Sequence, residues 1–267
     1  MSIDYNYSLP KLIEFENVYV QRENVMALRG ISFSIDAGEH VAILGPNGSG
    51  KSTLIKAVTR ECYPRQPGRI RIWGRETWGL FDLRALLGIV TNDLVETCTK
   101  PYSALETVLS GFFGSIGIWP NHQVTAEMER KARETLRFFD VEHLADHPLT
   151  ELSSGEVRRV VFARALVHEP KALLLDEPSN SLDIRAQHEV REATRKLAQA
   201  GVSILLVTHH LPDIIPEIQR VIALKNGAIF LDGAKGDVLN DHNMTQLFDY
   251  EAFIDHNQSG MYCFRYR

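Results

Sequence analysis

The sequence lacks a long hydrophobic run, the apolar core of a signal peptide and any excess of positive charge. No stretch of its 267 residues approaches the roughly 18 apolar residues that span a bilayer, and the polar segment 1–10 is unlike a secretory leader. Lys and Arg number 29 against 34 Asp and Glu, which gives a net charge of −5. Because nucleic-acid binders usually carry a basic stripe, we do not expect this chain to bind nucleic acid. The missing span and leader predict a cytoplasmic protein.

Cysteine is also scarce, with three residues scattered along the chain, Cys62, Cys98 and Cys263. An odd number without paired spacing argues against a disulfide or zinc framework and fits a reducing compartment. The 44% of hydrophobic residues is enough to build a core of ordinary size.

What the sequence does contain is an alternation of short apolar runs with helical patterns. Strands are predicted at 12–20, 31–35, 41–44, 69–73, 172–175 and 202–207, and helices at 51–61 and 184–197. Residues 221–231 are typical of a hairpin that turns at Asn226-Gly227. The order predicts an α/β fold with a mainly parallel sheet and an antiparallel β portion.

The region 93–159 differs, because its apolar residues recur at helical spacing. We therefore predict a discontinuous core, 11–92 and 160–249, interrupted by a helical subdomain at 93–159. The C-terminal tail, 250–267, shows no clear pattern.

A glycine-rich loop lies between a predicted buried strand and a predicted helix. It matches G-x-x-x-x-G-K-[ST] in full and is followed by Thr53; its residues are Gly45, Pro46, Asn47, Gly48, Ser49, Gly50, Lys51 and Ser52. Glycines let successive N–H groups point inward at phosphates, and the helix N-terminus adds its positive dipole end. Lys51 supplies a charge for the β- and γ-phosphates, and the Ser52 hydroxyl suits Mg²⁺. The loop therefore predicts nucleotide and Mg²⁺ binding by a P-loop NTPase core.

Two acids follow the predicted strand 172–175. Ligands of open α/β sheets lie at the carboxyl ends of the strands, so Asp176 is expected in the Mg²⁺ shell. Glu177 is placed to polarise a water in line with the γ-phosphate, since neighbouring residues of a strand point to different sides.

The remaining motifs resemble those of ABC ATPases, and the resemblance covers about 12–248. Residues 152–156, Leu-Ser-Ser-Gly-Glu, are similar to the family signature, residues 179–183 to its D-loop, and His209 to its switch histidine. The resemblance implies that Ser153 and Gly155 meet the γ-phosphate held by the other protomer. It also implies that Asp183 lies at the dimer interface and that His209 contacts the γ-phosphate.

Four positions depart from the family pattern. Asn92 stands where a glutamine usually binds the Mg²⁺ shell, and Arg22 where an aromatic residue usually stacks on adenine. Ser154 replaces a glycine, which would cost stability if that position required positive φ, and Glu156 replaces a glutamine. A metal site at His209-His210 lacks a third ligand nearby in the sequence.

The resemblance implies the ATP-binding and ATP-hydrolysing subunit of an ABC transporter, with Glu177, His209 and Lys51 as catalytic residues. Two copies would close on two ATP molecules and work with membrane permease subunits at the inner face of the cell membrane. The pattern of residues 224–248, with Leu224-Lys225-Asn226-Gly227, Gly233, Leu239 and Leu247-Phe248, resembles that of molybdate and metal-chelate uptake ATPases. Two alternatives stay open: a soluble ABC ATPase without a transporter, and a nucleotide switch with little turnover.

Overall fold

The computed structural model describes residues 11–256 and 261–265. Its strands are Lys11–Arg22 (β1), Val25–Asp36 (β2), Val41–Leu44 (β3), Arg69–Ile72 (β4), Leu87–Val90 (β5), Ala172–Asp176 (β6), Ser203–Thr208 (β7), Arg220–Lys225 (β8), Ala228–Ala234 (β9), Phe253–His256 (β10) and Tyr262–Arg265 (β11). Its α-helices are Lys51–Val58 (α1), Leu80–Leu86 (α2), Asn92–Cys98 (α3), Ala104–Leu109 (α4), Ala126–Phe138 (α5), Ser154–Leu166 (α6), Ile184–Gln199 (α7), Lys235–Val238 (α8) and Asp241–Phe248 (α9).

A six-stranded sheet forms the centre of the fold, in the order β5-β6-β7-β3-β8-β9. Its first five strands are parallel, and β9 runs antiparallel to β8 after the turn at Asn226-Gly227. All four residues of β3 are buried, as expected of a strand covered on both faces. The predicted α/β fold with a mainly parallel sheet is confirmed.

An antiparallel sheet in the order β2-β1-β4 supplies the β portion that the sequence predicts. Its apolar side chains, including Ile13 and Phe15, share one hydrophobic cluster with Leu54 of α1 and Val207 of β7. A second cluster joins α4, α5 and α6 to the other side of the central sheet. The phosphate-loop helix is therefore buried between the two sheets.

Two regions differ from expectation in detail. The tail contains the hairpin β10–β11, which packs Ile254, Tyr262 and Phe264 on the main core. The expected boundary at residue 159 lies inside α6, since the helix continues to Leu166; the division into subdomains stays a prediction. None of the helices in the described ranges combines the length and the apolar character of a membrane span.

Candidate active site

A cavity of about 1380 Å³ opens at the carboxyl ends of the parallel strands. The predicted site residues that line it are Asn47, Gly48, Gly50, Lys51, Ser52, Thr53, Asn92, Asp176, Glu177 and His209. They come together because β3, β5, β6 and β7 are neighbours in one sheet, so that the loops after these strands meet at one edge.

The phosphate loop is folded around its own lysine. Lys51 is 8% exposed, and its Nζ donates to the carbonyl oxygens of Gly45 at 2.6 Å and Pro46 at 3.1 Å. Burial lowers the pKa of Lys51, with Glu177 and Asp176 acting in the opposite direction. Gly50 precedes α1 with φ of 105°, a conformation that disfavours any residue with a Cβ.

One polar atom of the loop has no partner. The Ser49 hydroxyl is buried, and within 11–256 and 261–265 no hydrogen-bond partner reaches it. Gly50 caps α1 without a side-chain hydrogen bond to the first turn. An anionic ligand at the start of α1 would find donors and a positive dipole end there.

Glu177 and His209 form a close polar contact in the cavity. The Glu177 Oε1 lies 2.6 Å from the His209 Nδ1. Glu177 leaves β6 in the left-handed region with φ of 48°, while its N–H donates to the carbonyl of Val207 at 2.8 Å. This turn directs the Glu177 carboxylate toward His209 in the loop after β7.

The donor set suits Mg²⁺, because Ser52, Asp176 and Asn92 offer a hydroxyl, a carboxylate and an amide oxygen to the same cavity. The Asn92 Oδ1, however, already accepts from the Arg158 Nη1 at 2.9 Å. Ser52 and Asp176 would therefore hold the ion, and the roles of all three residues as metal ligands stay predictions.

Arg158 follows the signature in the sequence but was not among the predicted site residues, although it joins three predicted site segments. It is 5% exposed on α6, and its Nη2 donates to the carbonyl of Asn180 at 3.2 Å while Nη1 holds Asn92. Since α6 also carries the signature residues, one buried guanidinium links the cavity edge, the signature helix and the D-loop segment.

We expect Asn92→Ala to lower the free energy of unfolding by about 1–3 kcal/mol, because it leaves a buried guanidinium N–H without its acceptor. In an Arg158→Met background, where that donor is absent, the same change should cost at least about 1 kcal/mol less. Urea unfolding of the four proteins measures this coupling. Equal costs in both backgrounds would mean that the hydrogen bond contributes nothing.

Asp176 titrates unusually for a carboxyl group. Burial, and then the neighbouring Glu177, raise the pKa of Asp176 to about 6, against the opposing effects of Lys51 and Arg158. A pKa above the unfolded value means that folding favours the neutral acid. The charged form is therefore destabilising, and the penalty grows as pH rises from about 4 to about 6.

Asp176→Asn should therefore stabilise the nucleotide-free chain at pH 8 by about 1 kcal/mol, a value reduced for partial exposure. At pH 4 the gain should be much smaller, because the wild-type acid is then largely neutral. Thermal unfolding at both pH values tests this, with the exposed Asp146→Asn as control. A gain that is the same at pH 4 and pH 8 would contradict it.

The signature segment forms the N-terminus of α6. Ser153 is the cap residue: its N–H and Oγ donate to the Glu156 Oε2 at 2.8 and 2.7 Å, and its Oγ accepts from the Glu156 N–H. Ser154 opens the helix and is not among the residues with positive φ, so the serine there causes no strain. A Cβ on Gly155 would lie 2.9 Å from the Ala186 Cβ, which explains a glycine at this packing contact.

Other predicted residues lie outside the cavity. Arg22, Ser153, Gly155 and Asp183 are not among the described residues that line it. Asp183 caps α7, accepting from the Ala186 N–H at 2.8 Å. Arg22 ends β1 opposite Val25, and Val25, not Arg22, borders the cavity. The base-stacking and interface roles stay predictions.

A second residue absent from the predictions is Asp213, in the loop after β7. Its buried carboxylate accepts from the Ser179 Oγ at 2.5 Å and pairs with the Arg191 Nε at 3.1 Å. It thereby fixes the D-loop segment to the loop that carries His209. A lone acid outside any motif gives no signal in the sequence.

Comparison with known proteins identifies the arrangement. Residues 28–180 match the family model described as ABC transporter. The chain is 30% identical to the uncharacterized ABC transporter ATP-binding protein YlmA of Bacillus subtilis, over 92% of this chain and 94% of that protein. It is also 30% identical to the hemin import ATP-binding protein HmuV of Bradyrhizobium diazoefficiens, over 94% and 92%.

Among solved structures, the dimeric post-hydrolysis state of the ATP-binding cassette MJ0796, bound to ADP and Pi, is similar with a TM-score of 0.69. It is 27% identical and covers 83% of this chain and 98% of that one.

Proposed function

Because this chain belongs to the ABC transporter family and is its ATP-binding and ATP-hydrolysing type of subunit, we propose that it works as a homodimer that encloses two Mg·ATP and drives permease partners in the membrane. The contact between Glu177 and His209, beside Lys51 and Asp176 in one cavity, carries the hydrolytic part of this proposal; the dimeric cassette and the import relative support the rest. The soluble ABC ATPase and the low-turnover switch are not favoured, since the relatives are transporter ATP-binding proteins.

The hydrolytic roles follow from position and chemistry. The phosphates of ATP bind the loop 45–52, and Lys51 exchanges its loop carbonyls for phosphate oxygens, a stronger charge-assisted partner. Glu177 orients the attacking water, and His209 holds the Glu177 carboxylate through its 2.6 Å contact and faces the γ-phosphate. Ser52 and Asp176 would hold Mg²⁺, which would neutralise part of the phosphate charge.

The second half of each ATP site comes from the other protomer. Ser153 and Gly155 at the N-terminus of α6 offer a hydroxyl and a helix terminus suited to the γ-phosphate. Asp183 and the D-loop segment cross the interface. Arg158 and Asp213, which brace Asn180 and Ser179, connect this interface to the cavity of their own chain.

The permease contacts the groove where the cavity continues past the phosphates. That part is bordered by α2 and α3 and by the 3-10 turn Ser110–Phe113. Its lining includes the exposed Arg84 and the half-buried Ile116. The chain then lies at the inner face of the cell membrane. The import relatives include hemin and phosphonates ATP-binding proteins. A metal chelate is the cargo that we propose between them, because the pattern of residues 224–248 resembles the metal-chelate branch.

A tagged Glu177→Gln protein tests the transport assignment. With ATP it should retain a polytopic membrane protein from detergent-solubilised native membranes, and without ATP it should retain less. Retention of soluble partners alone, despite ATP-dependent dimers, would support the ABC ATPase without a transporter.

A further inference from the structure

Three metal-ligand groups converge where β6 and β7 end. Glu177, His209 and His210 each offer one ligand atom, and these atoms lie within 4.8 Å of one another. The third ligand that the dipeptide His209-His210 lacks in the sequence is therefore Glu177, distant along the chain and adjacent in space. None of the motifs assigned above uses the His210 side chain.

The two imidazoles are held side by side. Their ring centroids are 3.9 Å apart with planes 39° from parallel. His209 is fixed by Glu177, and the N–H of His210 donates to the Thr208 Oγ1 at 2.9 Å, which fixes the backbone below the ring. The His210 side chain itself is exposed, so it can rotate and the cluster is open to solvent.

The donor set selects a class of ion. Two imidazole nitrogens and one carboxylate oxygen match the three protein ligands of open zinc sites, in which water completes the tetrahedron. Ligand atoms around Zn²⁺ are about 3.3 Å apart, given bonds of about 2.0–2.2 Å. Rotation of the exposed His210 side chain brings in the third ligand, while the Glu177 Oε1 and the His209 Nδ1, now 2.6 Å apart, have to separate slightly to admit the ion. Mg²⁺ prefers an octahedron of oxygens and is a poor match.

We propose that Glu177, His209 and His210 form a Zn²⁺-type site in the nucleotide-free chain, and that the bound ion inhibits ATP hydrolysis. The ion is coordinated by the Glu177 carboxylate and the His209 imidazole, which the γ-phosphate and the attacking water also require. Binding of Zn²⁺ and binding of Mg·ATP therefore exclude each other. The inhibitory consequence rests on the proposed function, whereas Zn²⁺ binding does not.

Isothermal titration of the nucleotide-free protein with Zn²⁺, in a Mg²⁺-containing buffer without chelators, tests the site. We expect one ion per chain. His210→Ala should weaken Zn²⁺ binding by at least about tenfold, because loss of a residue that only hydrogen-bonds to a metal ligand already costs about that much affinity. The matched control is His188→Ala, another exposed histidine, which should leave the affinity unchanged. Equal Zn²⁺ affinity of wild type and His210→Ala would overturn the proposal.

The inhibitory arm uses steady-state hydrolysis of Mg·ATP with and without added Zn²⁺. Zn²⁺ should inhibit hydrolysis by wild type and by His188→Ala, and the inhibition should weaken as the Mg·ATP concentration rises. His210→Ala should keep its basal rate of hydrolysis and be inhibited less by Zn²⁺. Equal inhibition of His210→Ala would refute regulation through this cluster. If no variant hydrolysed ATP while the titration still showed binding dependent on His210, the proposed function would fail and the metal site would stand.

Discussion

Glu177→Gln should lower the steady-state rate of ATP hydrolysis by about a thousandfold, the usual contribution of a general base. The amide keeps the size of the side chain but cannot accept a proton from water. Since Lys51, Ser52 and Asp176 are untouched, ATP affinity should stay within a few-fold of wild type. Phosphate release and nucleotide binding, measured on the same preparation, separate the two effects.

The same variant should accumulate as an ATP-dependent dimer, because closure no longer ends in hydrolysis. Size-exclusion chromatography with light scattering detects it. Glu251→Gln, an exposed acid in the tail, is the matched control and should hydrolyse ATP normally. Wild-type-like turnover in Glu177→Gln would remove this carboxylate from the mechanism.

Lys51→Ala should weaken ATP binding by about two orders of magnitude, since a hydrogen bond to a charged group contributes about 1.5–3 kcal/mol and this lysine meets two phosphates. The nucleotide-free chain also loses the Nζ donor that holds the carbonyls of Gly45 and Pro46. Part of the loss therefore comes from a less ordered loop. Titration with a fluorescent ATP analogue measures the affinity.

Lys51→Arg distinguishes charge from fit. Arginine keeps the charge but is bulkier, and the 8% exposure of Lys51 leaves little space, so binding should recover only partly. Lys196→Ala, an exposed lysine on α7, serves as the control. Unchanged nucleotide affinity in Lys51→Ala would refute the role of this lysine.

Much of the site was predictable because its residues lie in contiguous motifs between strongly patterned elements. The loop 45–52 follows a fully buried strand, and the pair Asp176 and Glu177 ends another, so topology alone brings them together. The alternation of a strand does not place the Glu177 side chain, because β6 ends at Asp176 and Glu177 has a left-handed backbone with φ of 48°; the assignment of one carboxylate to the metal and the other to water stays a prediction.

The connections between motifs were not predictable from the sequence. Arg158 reaches Asn92 and Asn180 across 66 and 22 positions, and such pairs leave no local pattern. The pair His209-His210 gains a third metal ligand only because the fold brings Glu177 into contact with His209, which lies 32 positions away in the sequence. The hairpin β10–β11 escaped notice because four-residue strands carry too little alternation to recognise.

The Glu156 carboxylate competes with the proposed ligand, the γ-phosphate, for the hydrogen-bond donors of the signature segment. In the nucleotide-free chain its carboxylate already engages the N–H and hydroxyl of Ser153, and hydrogen bonding to Ser153 lowers the pKa of Glu156. In the proposed dimer the partner's γ-phosphate has to displace this tethered anion, whose effective concentration is high. The more highly charged phosphate prevails while it is intact; after cleavage and release, the carboxylate recaptures Ser153 and returns the protomer to its resting state.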